Sequence, residues 1–158
     1  MFPILWYVAA LVSVPEAFLI LAISTRMMKL ERSNYNRIFL ISVIQGGITL
    51  IIRKISMGIS QYFLSSFHTV ILIATLTLLF SLLCRVKVQH CFIPIFIVTV
   101  IYGSIQYIVV LIVLNRLKMP LFILQENPWL DVALFFPVAG ITVLVFYLID
   151  RLNLFEGL

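Results

Sequence analysis

The chain has 158 residues, of which 63% are hydrophobic and 11% charged, against about 45–50% and about 25% in ordinary soluble domains. Its net charge is +5, but the basic residues lie between apolar runs, where they act as membrane topology signals rather than nucleic-acid contacts. A soluble domain of this size still exposes roughly a third of its unfolded-chain surface, so these values exclude a soluble enzyme, a disordered chain and a disulfide scaffold, and favour an all-α polytopic membrane bundle.

Five apolar runs approach the length of about 20 residues that a spanning helix needs. The predicted spans are 2–24, 38–55, 63–84, 91–114 and 129–149. The first run has no basic leader and stays apolar past residue 20, so it is a span and not a cleaved signal peptide. In the second, only 15 residues separate Arg37 from Arg53, so we expect the helix to continue past Arg53, whose side chain would reach outward.

Basic residues are divided unequally between the loops. Seven lie on one side (Arg26, Lys29, Arg32, Arg37, Arg85, Lys87 and Arg151) and four on the other (Arg53, Lys54, Arg116 and Lys118). Because cytoplasmic loops are enriched in lysine and arginine, we expect one transmembrane domain, residues 1–158, with its N-terminus outside and its C-terminus in the cytoplasm. Trp6 and Trp129 then fall at the outer interface, as aromatic belts do. The expected location is the plasma membrane.

Two connecting segments are more apolar than ordinary loops. The segment 53–67 mixes apolar and polar residues, and the segment 119–124 is apolar but too short to span. We expect both to lie in the outer interface, either as short amphipathic or re-entrant pieces or as loops that dip into the headgroups.

Glu16 is the acidic residue placed deepest in a predicted span, directly after Pro15. A carboxylate at that depth is costly unless it is paired or hydrated, so Glu16 is expected to face the bundle, to be protonated, or both. At matching depth the second span offers Gln45 as a donor, and Gly46 and Gly47 for close approach. We predict a buried polar hinge of Glu16 and Gln45. Simple satisfaction by an amide and water, and a role in ligand binding, proton transfer or switching, both stay open.

Four residues near the outer ends of the spans are candidate ligand contacts: Arg53, Gln61, His68 and Asp131. Arg53 has the geometry for a carboxylate, although it and Lys54 are also ordinary snorkelling anchors. His68 fits either a pH-sensitive or ligand-binding role or a packing role. Asp131 also suits the first turn of a helix, where the dipole favours a negative charge.

Small residues recur at Ser42, Gly46 and Gly47 and again at Gly103 and Ser104, which predicts close helix packing and favours an oligomer. Cys84, His90 and Cys91 do not have the number or spacing of zinc ligands, so no metal and no cofactor is predicted. The sequence contains none of the phosphate-loop, dinucleotide, metalloprotease or nucleophile-elbow motifs, and no enzyme activity is predicted.

The pair Pro15-Glu16, Arg53 within IIRKI, and a loop with Gly58 that leads to FHT at 67–69 form a recognisable order over residues 14–83. This order resembles the polytopic N-terminal membrane region of sensor histidine kinases from Firmicutes, of the peptide-receptor and sporulation type. The resemblance implies a sensor of an external signal. Because no phosphoacceptor or ATP-binding motif is present, either a stand-alone relative or the membrane part of a longer protein is expected.

The function predicted from the sequence is an integral membrane sensory or regulatory module. It would bind an external or lipid-phase signal and pass it to a cytoplasmic or membrane partner, with membrane lipid around it and a homo-oligomer as a further expectation. The alternative is a subunit of an oligomeric transporter or channel that uses Glu16 as an ion or proton site. An intramembrane enzyme would need a polar cluster within reach of Glu16 or His68.

Overall fold

A computed structural model describes the backbone of residues 6–30, 35–56, 61–118 and 127–151, and the side chains of 7–8, 10–30, 35–52, 69–118, 127 and 129–151. The elements, in chain order, are α1 (Trp6–Val8), a π-helical segment (Ala9–Ser13), α2 (Val14–Met27), α3 (Tyr35–Ser56), α4 (Gln61–Cys84), α5 (Val88–Leu117) and α6 (Pro128–Arg151). The predicted all-α class is confirmed, since 93% of this part of the chain is helical and it contains no sheet.

Four stretches are long and apolar enough to cross a membrane: Ala10–Met27, Tyr35–Ile52, Val88–Leu117 and Trp129–Arg151. The corresponding stretch of α4 is shorter over its described side chains, Thr69–Cys84. Helix α3 has 22 residues and continues through Arg53, as expected. Its length is about 33 Å at 1.5 Å per residue, which exceeds a hydrocarbon core of about 30 Å.

The first span is one continuous helix that is π-helical at Ala9–Ser13 and becomes α-helical at Val14, one residue before Pro15. Proline cannot donate to the carbonyl one turn earlier, and its ring crowds that carbonyl. A π turn is wider than an α turn and occurs at such interruptions, frequently at functional sites. The Val14-Pro15-Glu16 sequence therefore starts a new α-helix and places Glu16 in its first turn.

The ends of α2, α4 and α6 meet the starts of α3 and α5 at one end of the bundle, which we call the basic end. Arg26 pairs with Asp150 at 2.9 Å, and Nη1 of Arg37 donates to the backbone oxygen of Leu83 at 3.2 Å. The described basic residues here are Arg26, Lys29, Arg37, Arg85, Lys87 and Arg151. The described basic residues of the loops that were predicted to lie on the cytoplasmic side are therefore found at one end of the bundle.

A dry apolar layer fills the half of the bundle next to the basic end. Fully buried members come from α2, α3, α4 and α5: Leu21, Ile38, Ile41, Phe80, Ile95 and Val98. A smaller cluster of Val8, Val12 and Val132 lies at the opposite end, where the rings of Tyr7 and Trp129 stack at a centroid distance of 5.0 Å. The space between these two apolar layers contains the candidate site.

The outer surface of the bundle is strongly apolar. Large hydrophobic side chains point outward along the spans, among them Leu82, Ile112 and Phe136, which are 75%, 57% and 69% exposed. Soluble monomers rarely expose large contiguous apolar patches. This surface, together with the four long apolar helices, indicates a membrane-embedded protein.

Most of the segment 53–67 is helical, since residues 53–56 belong to α3 and residues 61–67 to α4. Its expected position in the outer interface stays a prediction. The segment 119–124 lies outside the described residues. Gly47, Gly103 and Ser104 are exposed, and a Cβ added at either glycine meets no atom within 4 Å. Among the described residues, the close packing predicted for these three is therefore not made, because no neighbouring helix approaches the two glycines and Ser104 is exposed.

Candidate functional site

A cavity of about 250 Å³ lies between α2, α3, α4 and α5, on the far side of the dry layer from the basic end. We call it the central cavity. Its polar lining residues come from the four helices and the π segment: Ser13, Glu16, Gln45, Thr49, Thr69, Thr99, Tyr102 and Gln106. Apolar side chains such as Ile20, Leu72 and Leu76 complete the wall. Among the lining residues, Glu16 supplies the ionisable carboxyl group.

Glu16 lies at the middle depth of the bundle. It is about 16 Å along α2 from the last residue of that helix, at 1.5 Å per residue. Gln45 and Thr99 lie about 15 and 16 Å from the first residues of α3 and α5, so the three share one level. In a hydrocarbon core of about 30 Å this level is the midplane. Glu16 thus faces the bundle interior, as its cost in lipid requires.

Gln45 joins α3 to α4. Its amide nitrogen donates to the backbone oxygen of Leu72 and to Oγ1 of Thr75, both at 3.1 Å. The hydroxyl of Thr75 in turn lies 3.3 Å from Oε1 of Gln45. Gln45 shares the cavity with Glu16, but its predicted task of donating to that carboxyl is revised, since its donors reach the neighbouring helix instead.

Two of the hydroxyl groups around the cavity donate to carbonyl oxygens of their own helices. Thr49 donates to the backbone oxygen of Gln45 at 2.9 Å, and Thr99 donates to that of Ile95 at 2.7 Å. Each bond spans one helical turn, the usual arrangement of threonine in a membrane helix. These hydroxyl oxygens keep acceptor capacity for a guest.

Tyr102 and Gln106 of α5 connect the cavity with Asp131. Both residues line the central cavity with Glu16, and both also line a small gap that contains Asp131 on α6. Tyr102 is 2% exposed and interacts electrostatically with the carboxyl groups of Glu16 and Asp131. A polar track therefore runs from the midplane, through α5, towards the end of the bundle opposite the basic end.

The sequence grouped Arg53, Gln61, His68 and Asp131 as candidate ligand contacts. The structure describes the side chain of only the last of these four. Asp131 lies beside Tyr102 and Gln106. Helix α3 carries Arg53 and helix α4 carries Gln61 and His68, but the side chains of these three lie outside the described part of the chain. A ligand role for them stays a prediction.

Access to the central cavity is one-sided. Thr69 and Gly103 line it and are themselves exposed, so it opens between α4 and α5 on the side away from the basic end. Towards the basic end its wall is formed by Ala17, Ile20 and Leu76, and the fully buried Leu21, Ile95 and Val98 belong to the apolar layer beyond. Among the described residues, the polar lining therefore ends near the level of Glu16.

The fold and this cavity describe a helical bundle with the features of a polytopic membrane protein and a polar site at mid-depth. Comparisons of the chain with protein-family models, with curated proteins and with solved structures found no match. Among the described residues, no group of three or more His, Cys, Asp or Glu side chains is placed to hold a metal ion.

Sequence reasoning named Glu16 and Gln45 but did not assign the other polar lining residues to a site. The signal that finds them is helical spacing. Cavity positions in α5 are 99, 102, 103 and 106, those in α4 are 69, 72, 73 and 76, and those in the first span are 13, 16, 17 and 20. Each set follows i, i+3, i+4, i+7, which marks one face of a helix. Tyr107, which also adds polarity to the fourth span, is 64% exposed and faces outward.

Proposed function

We propose that this chain is a membrane-embedded sensory or regulatory module whose ligand occupies the central cavity and contacts Glu16. The main support for this proposal is the central cavity itself. It measures about 250 Å³, is lined by polar residues at the level of Glu16, and is closed towards the basic end by buried apolar side chains. Ligand pockets usually measure about 300–1,000 Å³. At about 250 Å³ the central cavity is slightly below this range, so it fits a small molecule, or one end of a larger one such as a peptide.

The chemistry of the lining favours a cationic or hydrogen-bond-donating group. Glu16 is an acid, and the carbonyl oxygens of Gln45 and Gln106 and the threonine hydroxyls are acceptors. In low dielectric a carboxylate is strongly stabilised by a bound cation. An ammonium group delivered from the open side would meet these oxygens directly.

Helix α2 offers a route from the cavity to the basic end. It carries Glu16 in its first turn and Arg26 in its last turn, and Arg26 pairs with Asp150 at the end of α6. A ligand that favours one position of α2 would shift this contact, because a ligand biases a bundle by its differential affinity for two packings. In this proposal the protein lies in the plasma membrane, with its N-terminus outside and its basic end facing the cytoplasm. A cytoplasmic or membrane partner would then contact the ends of α2 and α6.

The proposal is tested by the thermal stability of purified protein in detergent with increasing propylammonium, a small cationic probe. We expect the wild type to be stabilised in a saturable way, by about 1.4 kcal/mol at ten times the dissociation constant. Glu16→Gln keeps the shape of the side chain and removes the charge, so it should fold and lose this stabilisation. Propanol, an uncharged analogue, should have little effect on either protein.

Lys87→Gln serves as a control, because it removes an exposed charge at the basic end that lines neither cavity and takes no part in the Arg26–Asp150 contact. It should respond to propylammonium like the wild type. Equal stabilisation of Glu16→Gln and wild type would contradict binding at Glu16. A variant that does not fold would assign Glu16 a structural role instead of the proposed one.

The second candidate, a subunit of an oligomeric transporter or channel with Glu16 as an ion or proton site, is favoured by one observation. The polar track from Glu16 past Tyr102 and Gln106 to Asp131 leads to one end of the bundle. Within one chain the dry layer closes the other half, so conduction would require repacking or a partner. Proton or cation flux into liposomes that disappears in Glu16→Gln would support this candidate over the sensor.

A further inference from the structure

A second cavity, of about 450 Å³, lies at the basic end between the last turns of α2, the first turn of α3 and the second half of α6. We call it the basic-end groove. Its deeper wall is apolar and includes Ala22, Ile23, Val143 and Phe146. Among the described residues, its rim is polar and includes Arg26, Lys29, Tyr35, Tyr147 and Asp150. The groove is separate from the central cavity, since the two share none of the lining residues that the structure describes.

The rim places positive charge where a membrane has its headgroups. Arg26 and Lys29 lie at the end of an apolar helix, and the side chain of Arg26 is 74% exposed although it pairs with Asp150. One terminal nitrogen of the guanidinium makes that ion pair, and the group has five N–H donors in all. Arg26 can therefore keep Asp150 and still present donors to a phosphate.

The backbone holds Lys29 at the rim. The N–H of Leu30 donates to the oxygen of Thr25 at 3.2 Å, and the N–H of Lys29 donates to that of Arg26 at 3.0 Å. This is the Schellman arrangement that closes a helix C-terminus, and it requires a left-handed residue at the position of Lys29, whose φ is 51°. Glycine is the usual residue there, but in this chain the position carries an ammonium group.

Two tyrosines of the rim are also typical of the headgroup region of a membrane. Tyr35 and Tyr147 are 69% and 56% exposed and line the groove. Tyrosine concentrates at membrane interfaces, where its ring contacts acyl chains and its hydroxyl contacts water or headgroups. An apolar wall that ends at Tyr35, Tyr147, Arg26 and Lys29 matches the division of a phospholipid into an acyl chain and a charged headgroup.

We infer that the basic-end groove binds an anionic membrane phospholipid, with its phosphate between Arg26 and Lys29 and an acyl chain along Ile23, Val143 and Phe146. Charge complementarity selects this occupant, because Arg26 and Lys29 together outweigh the charge of Asp150 on the rim. Basic pockets between membrane helices bind anionic headgroups for the same reason.

The test is native mass spectrometry of the purified protein with an equal mixture of phosphatidylglycerol and phosphatidylcholine of identical chains. The wild type should retain phosphatidylglycerol in preference. Arg26→Gln combined with Lys29→Gln should reduce that preference about 25-fold, because each basic residue at an anionic lipid surface contributes roughly fivefold in affinity. Arg116→Gln combined with Lys118→Gln, two exposed basic residues at the opposite end, is the matched control and should keep the preference.

Val143→Trp separates a groove from a diffuse surface charge. Val143 is 53% exposed and lines the groove, so a large ring there would fill the acyl-chain wall and leave both basic residues in place. We expect this variant also to lose phosphatidylglycerol. Retention by Val143→Trp, equal retention of the two lipids by the wild type, or equal losses in the control pair would overturn the inference.

Three further measurements distinguish a bound lipid from other occupants of the groove. Competition by glycerol phosphate as strong as that by the lipid would overturn the proposal in favour of a soluble phosphate site. A dimer that dissociates in Arg26→Gln with Lys29→Gln, without lipid loss, would make a second copy the occupant. Glu16→Gln should retain the lipid like the wild type, so the result is independent of the function proposed for the central cavity.

Discussion

Two adjacent glycines in α3 have opposite surroundings. A Cβ added to Gly46 would lie 2.5 Å from Cγ2 of Val14, whereas a Cβ added to Gly47 meets no atom within 4 Å. Gly46 therefore lies where α3 comes closest to the junction between the π segment and α2. This junction precedes Glu16 by two residues, so the fit at Gly46 also fixes the position of the carboxyl group.

Gly46→Ala should destabilise the protein by about 1–3 kcal/mol, because the β-branched Val14 has little freedom to move away from the new methyl group. The measurement is unfolding by SDS titration from a mild detergent, followed by circular dichroism. The displaced α3 should also weaken the response to propylammonium.

Gly47→Ala is the matched control for this substitution. It adds the same methyl group one residue further along, in open space, and removes a residue of low helix propensity. Its stability should equal that of the wild type or exceed it by up to about 1 kcal/mol. If both alanine variants have the same stability, the close contact between Gly46 and Val14 does not determine how tightly α3 packs.

At the scale of the elements, the link between α3 and α4 depends on a polar bridge. The hydroxyl of Thr75 accepts from Nε2 of Gln45 at 3.1 Å across the two helices, and it donates to the backbone oxygen of Leu72 in its own helix at 3.0 Å. Thr77, two residues along α4, is buried but donates to the carbonyl of Ile73 in its own helix at 2.8 Å. The two threonines therefore differ in whether their hydroxyl group connects helices.

Thr75→Val should cost about 0.6–2 kcal/mol, the range of interhelical hydrogen bonds in membranes. Thr77→Val keeps the helix carbonyl bonded to its backbone partner and should cost less than about 0.5 kcal/mol. The same SDS titration compares them. A larger loss in Thr77→Val than in Thr75→Val would show that packing around α4, and not the bridge to Gln45, holds these helices together.

At the scale of the whole molecule, the central cavity and the dry apolar layer divide the bundle into a polar half and an apolar half. Gln106 lies in the polar half and Ile95 in the apolar half of the same helix, α5. The division predicts that reagents reach the bundle interior from one side. It also predicts that the reachable depth ends near Glu16.

Single cysteines test this division in a background with Cys84→Ala and Cys91→Ala, which removes the two free cysteines of the described chain. In liposomes, Gln106→Cys should react with a membrane-impermeant thiosulfonate added at the end opposite the basic end. Ile95→Cys should stay protected from both sides, since that position has no exposed surface. Reaction of Ile95→Cys from either side would reveal a continuous aqueous path and favour the transport candidate.

The amino-acid sequence by itself determined the helical class, the approximate helices and the inward direction of Glu16. Helix in lipid is forced, because backbone groups find no water to bond there, and a carboxyl group at mid-depth is driven to the interior by its desolvation cost. The same reasoning extended α3 past Arg53, since a shorter helix would not cross the hydrocarbon.

Tertiary structure alone decided which faces of the helices meet. Lipid tails are as apolar as leucine, so a span with hydrophobic residues all round carries no hydropathy signal that separates inside from outside. For that reason the sequence did not reveal that Gln45 bonds to α4, that Gly46 packs while Gly47 does not, or that Tyr102 and Gln106 join Glu16 to Asp131. Those pairings depend on the rotation and crossing of whole helices, which is settled by packing between segments distant in the chain.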